Sequence, residues 1–210
     1  MNQKNGKNSL GLDSCFEDLD NPIDLFKKWF SKAEKTEIND PNALALATSD
    51  KSNQPSVRMV LLKDISNKGF VFYTNFESRK GNELKDNQKA SMCFHWKSLR
   101  RQVRVSGKVS VVDKDEADKY FNSRAYGSKI AAWASSQSQV MNNRNDFLKK
   151  IREYEKKFTD KDKVTRPPHW SGWRVHPEQI EFWLEIKNRS HQRLNYILRE
   201  GNWIKEILYP

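Results

Sequence analysis

The first strong hydrophobic pattern in the chain has the period of a helix. Leu25 and Phe26 lie four and three positions before Trp29, which places the three on one side of a helix. Asn21 precedes them in the position of an N-cap, and Pro22 follows at the first helical position. A helix is therefore predicted in "NPIDLFKKWFSKAEKT".

From Ala43 the pattern changes to short alternating runs that are separated by turn residues, which is typical of β-strands. Strands are predicted in "ALALATS", "SVRMVLLKDI", "FVFYT", "KASMCFHW" and "RQVRVSGKVSVVD", and near the end of the chain in "EQIEFWLEI", "RLNYILRE" and "WIKEILY". Gly107, inside the fifth run, predicts a bulge or a bend. Because short turns connect these runs, the strands should pair antiparallel.

Helices are predicted between the two groups of strands. Asp113 and Glu116 have the spacing of a capping box, and further helical segments are predicted at residues 128–135 and 139–158. "TRPPHWSGW" is predicted to be an extended, proline-stiffened linker. Strands without regular helix alternation argue against a doubly wound sheet. The predicted fold is mainly β (α+β), an antiparallel barrel with peripheral helices.

The length of 210 residues suits one domain with its own core. We predict this domain at residues 21–210, after a flexible N-terminal arm at residues 1–20. The first twenty residues lack the apolar core of a signal peptide and no apolar run reaches about 18 residues, so a cytoplasmic protein is expected. Only Cys15 and Cys93 occur, far apart, so neither a disulfide framework nor a thiolate zinc site is predicted.

The net charge indicates that the ligand is an anion but does not say which kind. The 38 Lys and Arg against 27 Asp and Glu give a net charge of +11, which attracts anions from nucleic acids to phosphorylated metabolites. The glycines never take GxGxxG or GxxxxGK[ST] spacing, so any phosphate must be held by side chains. The histidines form no HExxH pair and no GxSxG occurs, so neither a metal site nor the usual hydrolase machinery is predicted.

The first candidate for anion binding is the run "RMVLLK". Strand alternation places Arg58 and Lys63 on opposite faces, at the two ends of an apolar ladder. Such a surface suits a flat ring that lies along the strand and has polar groups at its edges. An edge strand with flanking charges is the alternative interpretation.

The second candidate is "FYTNFESRKG", in which Ser78 is predicted to cap a helix. Arg79 and Lys80 then fall in the first turn, where positive charge is unfavourable, and a bound phosphate would correct this misfit. Arg79 can hold a phosphate through two parallel N–H bonds. Tyr73 and Thr74 can add hydroxyl donors. A solvated helix start is the alternative.

The third candidate is "YFNSRAYGS", which is followed by "SSQSQ". Tyr120, Arg124 and Ser128 recur every four residues, so on a helix they would direct three donors to one side. Two phosphate sites beside aromatic strands suggest a phosphorylated cofactor that meets a phosphorylated substrate. A basic barrel that binds nucleic acid is the alternative, because cations between aromatics also fit single-strand binding.

Seven segments carry a family resemblance: "SVRMVLLK", "GFVFYTNFESRKGNEL", "RQVRVSGKV", "YFNSRAYGS", "WASSQSQV", "RPPHWSGWRV" and "IEFWLEIKNRSHQR". In this order, from about Asp40 to Pro210, they resemble the pyridoxine/pyridoxamine 5′-phosphate oxidase family. The resemblance implies a homodimeric split β-barrel that binds FMN. It also implies oxidation of pyridoxamine or pyridoxine 5′-phosphate to pyridoxal 5′-phosphate, with O₂ as acceptor and H₂O₂ as by-product.

The resemblance further implies site residues, some of which would reach in from the second subunit. FMN would be bound by Arg58, Met59, Val60, Leu61, Leu62, Lys63, Tyr73, Thr74, Arg79, Lys80, Gln102, Gln137, Ser138, Trp183 and Arg193. The substrate phosphate would be bound by Lys63, Tyr120, Arg124 and Ser128. Arg189 and His191 would be the catalytic residues, in contact with the substrate ring, and His191 would orient the substrate rather than remove a proton from carbon.

Three departures from the family pattern bear on these expectations. Leu184 stands where the family usually has Gln, His or Gly, and Gln192 stands where it has Asp or Asn. The N-terminal arm lacks an Arg-x-x-Tyr element and has only Lys7 and Leu10 near that place. A flavin-binding relative with a changed substrate, or without turnover, is therefore the alternative function.

Overall fold

A computed structural model describes residues 8–210, in which helices and strands follow the predicted order closely. The helices are α1 (Pro22–Thr36), α2 (Arg79–Asp86), α3 (Lys114–Asn122), α4 (Tyr126–Ala134) and α5 (Arg144–Lys157). The strands are β1 (Ala43–Ser49), β2 (Pro55–Leu61), β3 (Asp64–Ser66), β4 (Gly69–Asn75), β5 (Lys89–Trp96), β6 (Arg101–Val111), β7 (Trp170–Leu184), β8 (Gln192–Arg199) and β9 (Asn202–Leu208).

The strands form one antiparallel sheet in the order β2-β1-β5-β6-β7-β4-β3, and β8 and β9 extend it beside β7. The 15-residue strand β7 connects both parts, because its first half pairs with β4 and its second half with β8. The sheet curves so that β2 also contacts β4, with which it forms no ladder. The prediction of a mainly β, antiparallel split barrel with peripheral helices is confirmed.

The predicted irregularity at Gly107 is also confirmed. The pairing of β6 with β7 shifts register between Ser106 and Gly107. A Cβ atom at Gly107 would lie 1.9 Å from the carbonyl oxygen of His176 on the neighbouring strand. Only glycine therefore allows the two backbones to approach this closely at the bulge.

The core is built largely from aromatic side chains that α1 packs onto the sheet. Phe26 lies edge-on to Phe70 of β4 and to Phe94 of β5, with ring centroids 4.9 Å apart in both pairs. Asn21 caps the helix, since its side chain accepts a hydrogen bond of 3.0 Å from the N–H of Ile23. The helix, its N-cap and its buried face therefore agree with the prediction.

Residues 8–20 pack against this core. Phe16 is fully buried and contacts Trp29 with ring centroids 5.3 Å apart. The indole N–H of Trp29 donates to the carbonyl of Cys15 at 2.8 Å, and the hydroxyl of Tyr196 donates to the carbonyl of Leu19 at 2.8 Å. The predicted division at residue 20 therefore does not coincide with the packing. Residues 1–7 lie outside the described part, and the flexibility of the arm stays a prediction.

Two local predictions were wrong near α3 and α5. Within residues 8–210 Asp113 makes no side-chain cap, and the Glu116 side chain, which would make the reciprocal bond of a capping box, instead accepts hydrogen bonds of 2.7 and 2.8 Å from Arg174 on β7. The helix predicted at residues 139–158 begins only at Arg144, where Asn143 provides the cap. A tertiary ion pair and a nearer capping residue thus replace the local interactions that the sequence suggested.

Two predicted extended segments also have different bounds. The run "SVRMVLLKDI" is interrupted, because β2 ends at Leu61 and the short β3 begins at Asp64. "TRPPHWSGW" is not a linker throughout, because its second half opens β7 at Trp170. Residues Trp170–Val175 are all buried, on both faces of the strand, so they lack the alternation by which a half-exposed strand is recognised.

Candidate active site

A cleft of about 620 Å³ lies where β2 and β4 face α3 and α4. Two surface grooves elsewhere are larger, at about 720 Å³ each, but neither brings together the three predicted clusters. The predicted residues that line the cleft are Met59, Val60, Leu61, Lys63, Tyr73, Thr74, Lys80, Tyr120, Arg124, Ser128 and Gln137. The cleft is therefore the candidate site.

Lys80 is the buried cation on one side of the cleft. Its Nζ atom lies 3.1 Å from Thr74 Oγ1, 3.2 Å from Ser78 Oγ and 3.1 Å from Gln137 Oε1, all uncharged partners. Burial, together with the nearby charge of Arg58, lowers the pKa of Lys80 to about 8. Ser78 caps α2 as predicted, and the first turn of this helix contains no acidic residue. This helix start suits an anion.

Arg58 and Arg79 meet a carboxylate that sequence reasoning missed. Arg79 Nε donates to Glu83 Oε1 at 2.8 Å, and Arg58 Nη2 donates to Glu83 Oε2 at 3.1 Å. Burial alone would raise the pKa of Glu83, but hydrogen bonds from Ser56, Thr48 and the two arginines lower it to about 2. Arg58 is therefore paired with Glu83 and does not line the cleft, whereas Arg79 remains 60% exposed. The i,i+4 spacing of Arg79 and Glu83 could have revealed the pair that these two residues form.

Arg124, in the connection between α3 and α4, is a second cation that lines the cleft. Its guanidinium lies 4.7 Å above the ring of Trp170, which continues a parallel stack with Tyr73 at 5.3 Å. Tyr73 in turn stacks on Tyr120 at 4.0 Å. Arg124 Nη1 is buried and has no hydrogen-bond partner among residues 8–210. A buried donor without a partner indicates a place for an acceptor. Sequence reasoning did not identify Trp170 as part of this wall.

Tyr120, Arg124 and Ser128 are not on one helix, contrary to the prediction. α3 ends at Asn122 and α4 begins at Tyr126, so Arg124 lies in the connection between them. All three side chains nevertheless line the same cleft. The turn between α3 and α4 thus brings the three side chains to one place, as the predicted helical spacing was expected to do.

Nine predicted residues do not line the cleft. Arg58 and Arg79 lie at Glu83, Leu62 is buried at 4% exposure, and Ser138 lines a neighbouring groove. The other five belong to the far half of the sheet. They are Gln102, Trp183, Arg189, His191 and Arg193.

These five form a second group. Gln102 on β6 pairs with Trp183 on β7, and Trp183 pairs with Arg193 on β8, so the three make one row across the sheet. The ring of His191 lies 4.6 Å from that of Trp183. Arg189 has a φ of 59° in the turn before β8, a left-handed conformation that is costly outside glycine and is often found at functional sites.

The hydrogen bonding of His191 favours one tautomer. Its Nδ1 atom accepts a hydrogen bond of 3.2 Å from the N–H of Ile186. A neutral imidazole that accepts at Nδ1 carries its proton on Nε2. The free edge of the ring is therefore a hydrogen-bond donor, suited to orienting a ligand rather than to removing a proton.

The two departures at Leu184 and Gln192 are cross-strand partners. Leu184 joins the hydrophobic core, and Gln192 Oε1 accepts a hydrogen bond of 2.7 Å from the N–H of Asp13. Gln192 thus ties residues 8–20 to the start of β8, between His191 and Arg193.

Gln192→Ala should loosen this attachment. Loss of one hydrogen bond is expected to cost about 1 kcal/mol and to speed amide exchange at Asp13 about fivefold. Hydrogen exchange measured residue by residue checks this. Gln54→Ala, at an exposed turn, is the matched control. Unchanged exchange at Asp13 in the Gln192 variant would contradict the assignment.

Within residues 8–210, no group of three or more His, Cys, Asp or Glu side chains is placed to hold a metal ion. No helix in the same part of the chain is long and apolar enough to cross a membrane.

Two family models match the chain. Residues 30–184 match the model described as pyridoxamine 5′-phosphate oxidase. Residues 170–210 match the model described as the pyridoxine 5′-phosphate oxidase C-terminal dimerisation region. The first covers the cleft, and the second covers β7, β8, β9 and the turn between β7 and β8, a stretch that contains four of the five residues of the second group.

Curated relatives match over nearly the whole chain. The pyridoxine/pyridoxamine 5′-phosphate oxidase of Pelagibacter ubique (strain HTCC1062) is 61% identical over 98% of this chain and 100% of its own length. The protein of the same name from Bartonella quintana (strain Toulouse) is 50% identical over 97% of this chain and 99% of its own length.

Solved structures share the fold. PhzG from Burkholderia lata 383, in complex with tetrahydrophenazine-1-carboxylic acid, has a TM-score of 0.88 and 29% identity, over 98% of this chain and 100% of PhzG. A pyridoxamine 5′-phosphate oxidase-related, FMN binding protein from Nostoc punctiforme PCC 73102 has a TM-score of 0.72 and 15% identity, over 90% and 98% of the two chains. From the family models and the curated relatives together, the chain belongs to the pyridoxine/pyridoxamine 5′-phosphate oxidase family.

Proposed function

We propose that the chain oxidises pyridoxamine or pyridoxine 5′-phosphate to pyridoxal 5′-phosphate, with FMN as cofactor and O₂ as electron acceptor, giving H₂O₂. The observation that carries the proposal is the pair of cations, from two different elements, that line one cleft. Lys80 has only uncharged partners, and Arg124 has a buried donor without a partner among the described residues. Two phosphorylated molecules that meet face to face would satisfy both cations.

The residues on the Lys80 side fit FMN. The Lys80 ammonium, with Thr74 and the start of α2, would hold the phosphate. The exposed apolar edge of β2, where Met59 is 65% and Leu61 is 38% exposed, would cover the ring system. When bound, FMN would supply the electron acceptor for the substrate.

The residues on the Arg124 side fit the phosphate of the substrate. Arg124 would use its buried Nη1 donor, and Lys63, Tyr120 and Ser128 line the same part of the cleft. Stacking on Trp170 keeps the guanidinium fixed and partly dehydrated, which strengthens its interaction with an anion. The substrate ring would then lie over the cofactor, held by orientation rather than by a covalent bond to the protein.

We also infer a homodimer in which each site uses both chains. Thr74 pairs with Ser171 on β7, whereas Trp183 lies twelve residues further along this strand, about 40 Å at roughly 3.3 Å per residue. One small ligand does not span that length, so the row at Trp183 would serve the cleft of the second subunit. The exposed apolar side chains of Val57 on β2 and Ile207 on β9 are suited to such an interface.

Anaerobic reduction tests the function. Pyridoxamine 5′-phosphate added to the FMN-loaded protein without oxygen should bleach the visible flavin absorption, and air should restore it. Bound flavin that stays oxidised would contradict the oxidase assignment.

A second candidate is a relative that binds flavin but acts on another substrate. The observation that favours this candidate is the structure of PhzG, which is 29% identical to this chain and is bound to tetrahydrophenazine-1-carboxylic acid. That ligand has a carboxylate and no phosphate. Bleaching by the phosphorylated vitamer would therefore distinguish the two candidates, because Arg124 and its neighbours are expected to require a phosphate.

FMN affinity should fall as the pH rises above about 8. Lys80 is cationic below its pKa of about 8 and neutral above it, and a bound phosphate favours the cation. The dissociation constant should therefore increase, by up to about tenfold between pH 7 and pH 9. Titrations of the flavin-free protein with FMN measure the change, and riboflavin, which lacks the phosphate, is the control ligand. An equal pH dependence in Lys80→Met would exclude Lys80 as the cause.

A further inference from the structure

A buried carboxylate lies behind Arg193 and has no role in the function proposed above. Glu181 on β7 is on the same face of the sheet as Trp183 and is only 3% exposed. Arg193 donates to both of its oxygens, from Nε at 2.9 Å and from Nη2 at 3.0 Å. Arg104 on β6 donates to Oε2 as well. The arrangement is a two-pronged ion pair with a second cation beside it.

Two cross-strand rows lie side by side on this face. The first row is Gln102, Trp183 and Arg193, and the second row is Arg104, Glu181 and Asn195. All three members of the first row are predicted cofactor residues. The bond between Arg193 and Glu181 runs diagonally from the first row to the second, a distance that long side chains bridge. Through this bond the second row fixes Arg193, one member of the first row.

The donors of Arg193 can be counted. Two of its five N–H groups point to Glu181, and Nη1 uses a third for the carbonyl oxygen of Tyr209 at 2.9 Å. Two N–H groups remain for a ligand. Because a two-pronged bond fixes both the position and the plane of a guanidinium, Glu181 decides the direction of the remaining two.

Glu181 is ionised at neutral pH. Burial alone would raise its pKa, but the hydrogen bonds from Arg193 and Arg104 lower it below the usual value. The same pairing raises the pKa of Arg193. Both partners therefore keep their charges, and the orientation they impose does not change across the neutral range.

We infer that Glu181 is a positioning residue that orients Arg193 toward FMN in the site shared with the second subunit. The inference rests on the proposed function, since it takes FMN as the ligand of Arg193. Glutamine at position 181 has the same shape but only one accepting oxygen, and its amide N–H₂ would oppose a guanidinium donor. Glu181→Gln should therefore release one prong and let the guanidinium turn.

A double-mutant cycle on FMN affinity tests the inference. Flavin-free full-length protein is titrated with FMN by fluorescence quenching, for wild type, Glu181→Gln, Arg193→Met and the double variant. Glu181→Gln should weaken FMN binding about tenfold in the wild-type background, the effect of one charge-assisted hydrogen bond. In the Arg193→Met background it should weaken binding less than about twofold, because a residue that acts through Arg193 has no effect without it.

Glu178→Gln is the matched control, since Glu178 lies on the same strand but is exposed and pairs with Lys108 at 3.5 Å. It should bind FMN like wild type. Wild-type affinity in Glu181→Gln, or an equal weakening in both backgrounds, would overturn the inference. If Glu181→Gln does not fold, Glu181→Asp, which withdraws the carboxylate by one methylene, takes its place in the same cycle.

The failure of this inference is separable from that of the proposed function. If the wild type binds FMN and pyridoxamine 5′-phosphate does not bleach it, the oxidase function is wrong, and the cycle still decides the role of Glu181. If the wild type binds no FMN, both are overturned.

Discussion

Arg189→Met should slow anaerobic reduction of the bound flavin by pyridoxamine 5′-phosphate about 100-fold or more, while FMN remains bound. Arg189 is a permanent cation, and we propose that it lies beside the substrate ring, where it would orient the reacting carbon and stabilise the negative charge that the electron acceptor gains as the substrate is oxidised. Removal of one such electrostatic contact typically costs about 100-fold to 1000-fold in rate. Stopped-flow absorbance measures the reduction rate, and the visible spectrum of the purified variant measures the bound FMN.

The control for Arg189 is Lys187→Met, which removes a neighbouring exposed cation from the same turn before β8. It should reduce the flavin at nearly the wild-type rate. Loss of FMN from Arg189→Met would show that the residue holds the cofactor instead. A wild-type rate in Arg189→Met would remove it from the proposed catalytic machinery.

Arg124→Met should lower kcat/KM for the phosphorylated substrate about 100-fold, mainly through KM. The buried Nη1 atom has no partner among the described residues, so its charge and hydrogen bond are expected to go to the substrate phosphate. A hydrogen bond to a charged group contributes about 1.5 to 3 kcal/mol, which corresponds to roughly 10-fold to 100-fold in binding. Steady-state kinetics with pyridoxamine 5′-phosphate measure the change.

Four comparisons separate a phosphate contact from a general disturbance of the cleft. FMN affinity should be unchanged in Arg124→Met, and Arg124→Lys should recover part of the loss because it restores the charge. Arg152→Met, on the exposed helix α5, should behave like wild type. An equal loss of kcat/KM with unphosphorylated pyridoxamine would show that Arg124 does not act on the phosphate.

The parts of the fold that could be predicted are those with a regular one-sided pattern. β1 and β5 alternate between covered and open positions along their whole length, and their predicted bounds match the structure. The first half of β7 could not be recognised, since both of its faces are covered. The capping box at Asp113 failed because Glu116 pairs with Arg174, a residue 58 positions away. Sequence patterns report neighbours along the chain and miss such distant partners.

The same distinction applies to the candidate site. The cap at Ser78 and the unfavourable charges of Arg79 and Lys80 follow from local helix electrostatics, so the anion site beside Lys80 could be anticipated. Of the two carboxylates that bind arginines, the sequence could have revealed one but not the other. Glu83 meets Arg79 one helical turn away, which is a local spacing, whereas Arg193 meets Glu181 only through the pairing of β7 with β8. The roles implied for individual residues stay predictions until ligands are bound.

The length of β7 has a consequence for the proposed dimer. The first half pairs with β4 beside the cleft of its own subunit, and in the proposed dimer the second half, which pairs with β8, would contribute to the cleft of the other subunit. This one continuous strand would then contribute residues to two active sites. The bulge at Gly107 lies opposite the middle of β7, and there is no room for a side chain at position 107. Gly107→Ala would therefore displace both halves of β7, so this one substitution would impair both active sites of the proposed dimer.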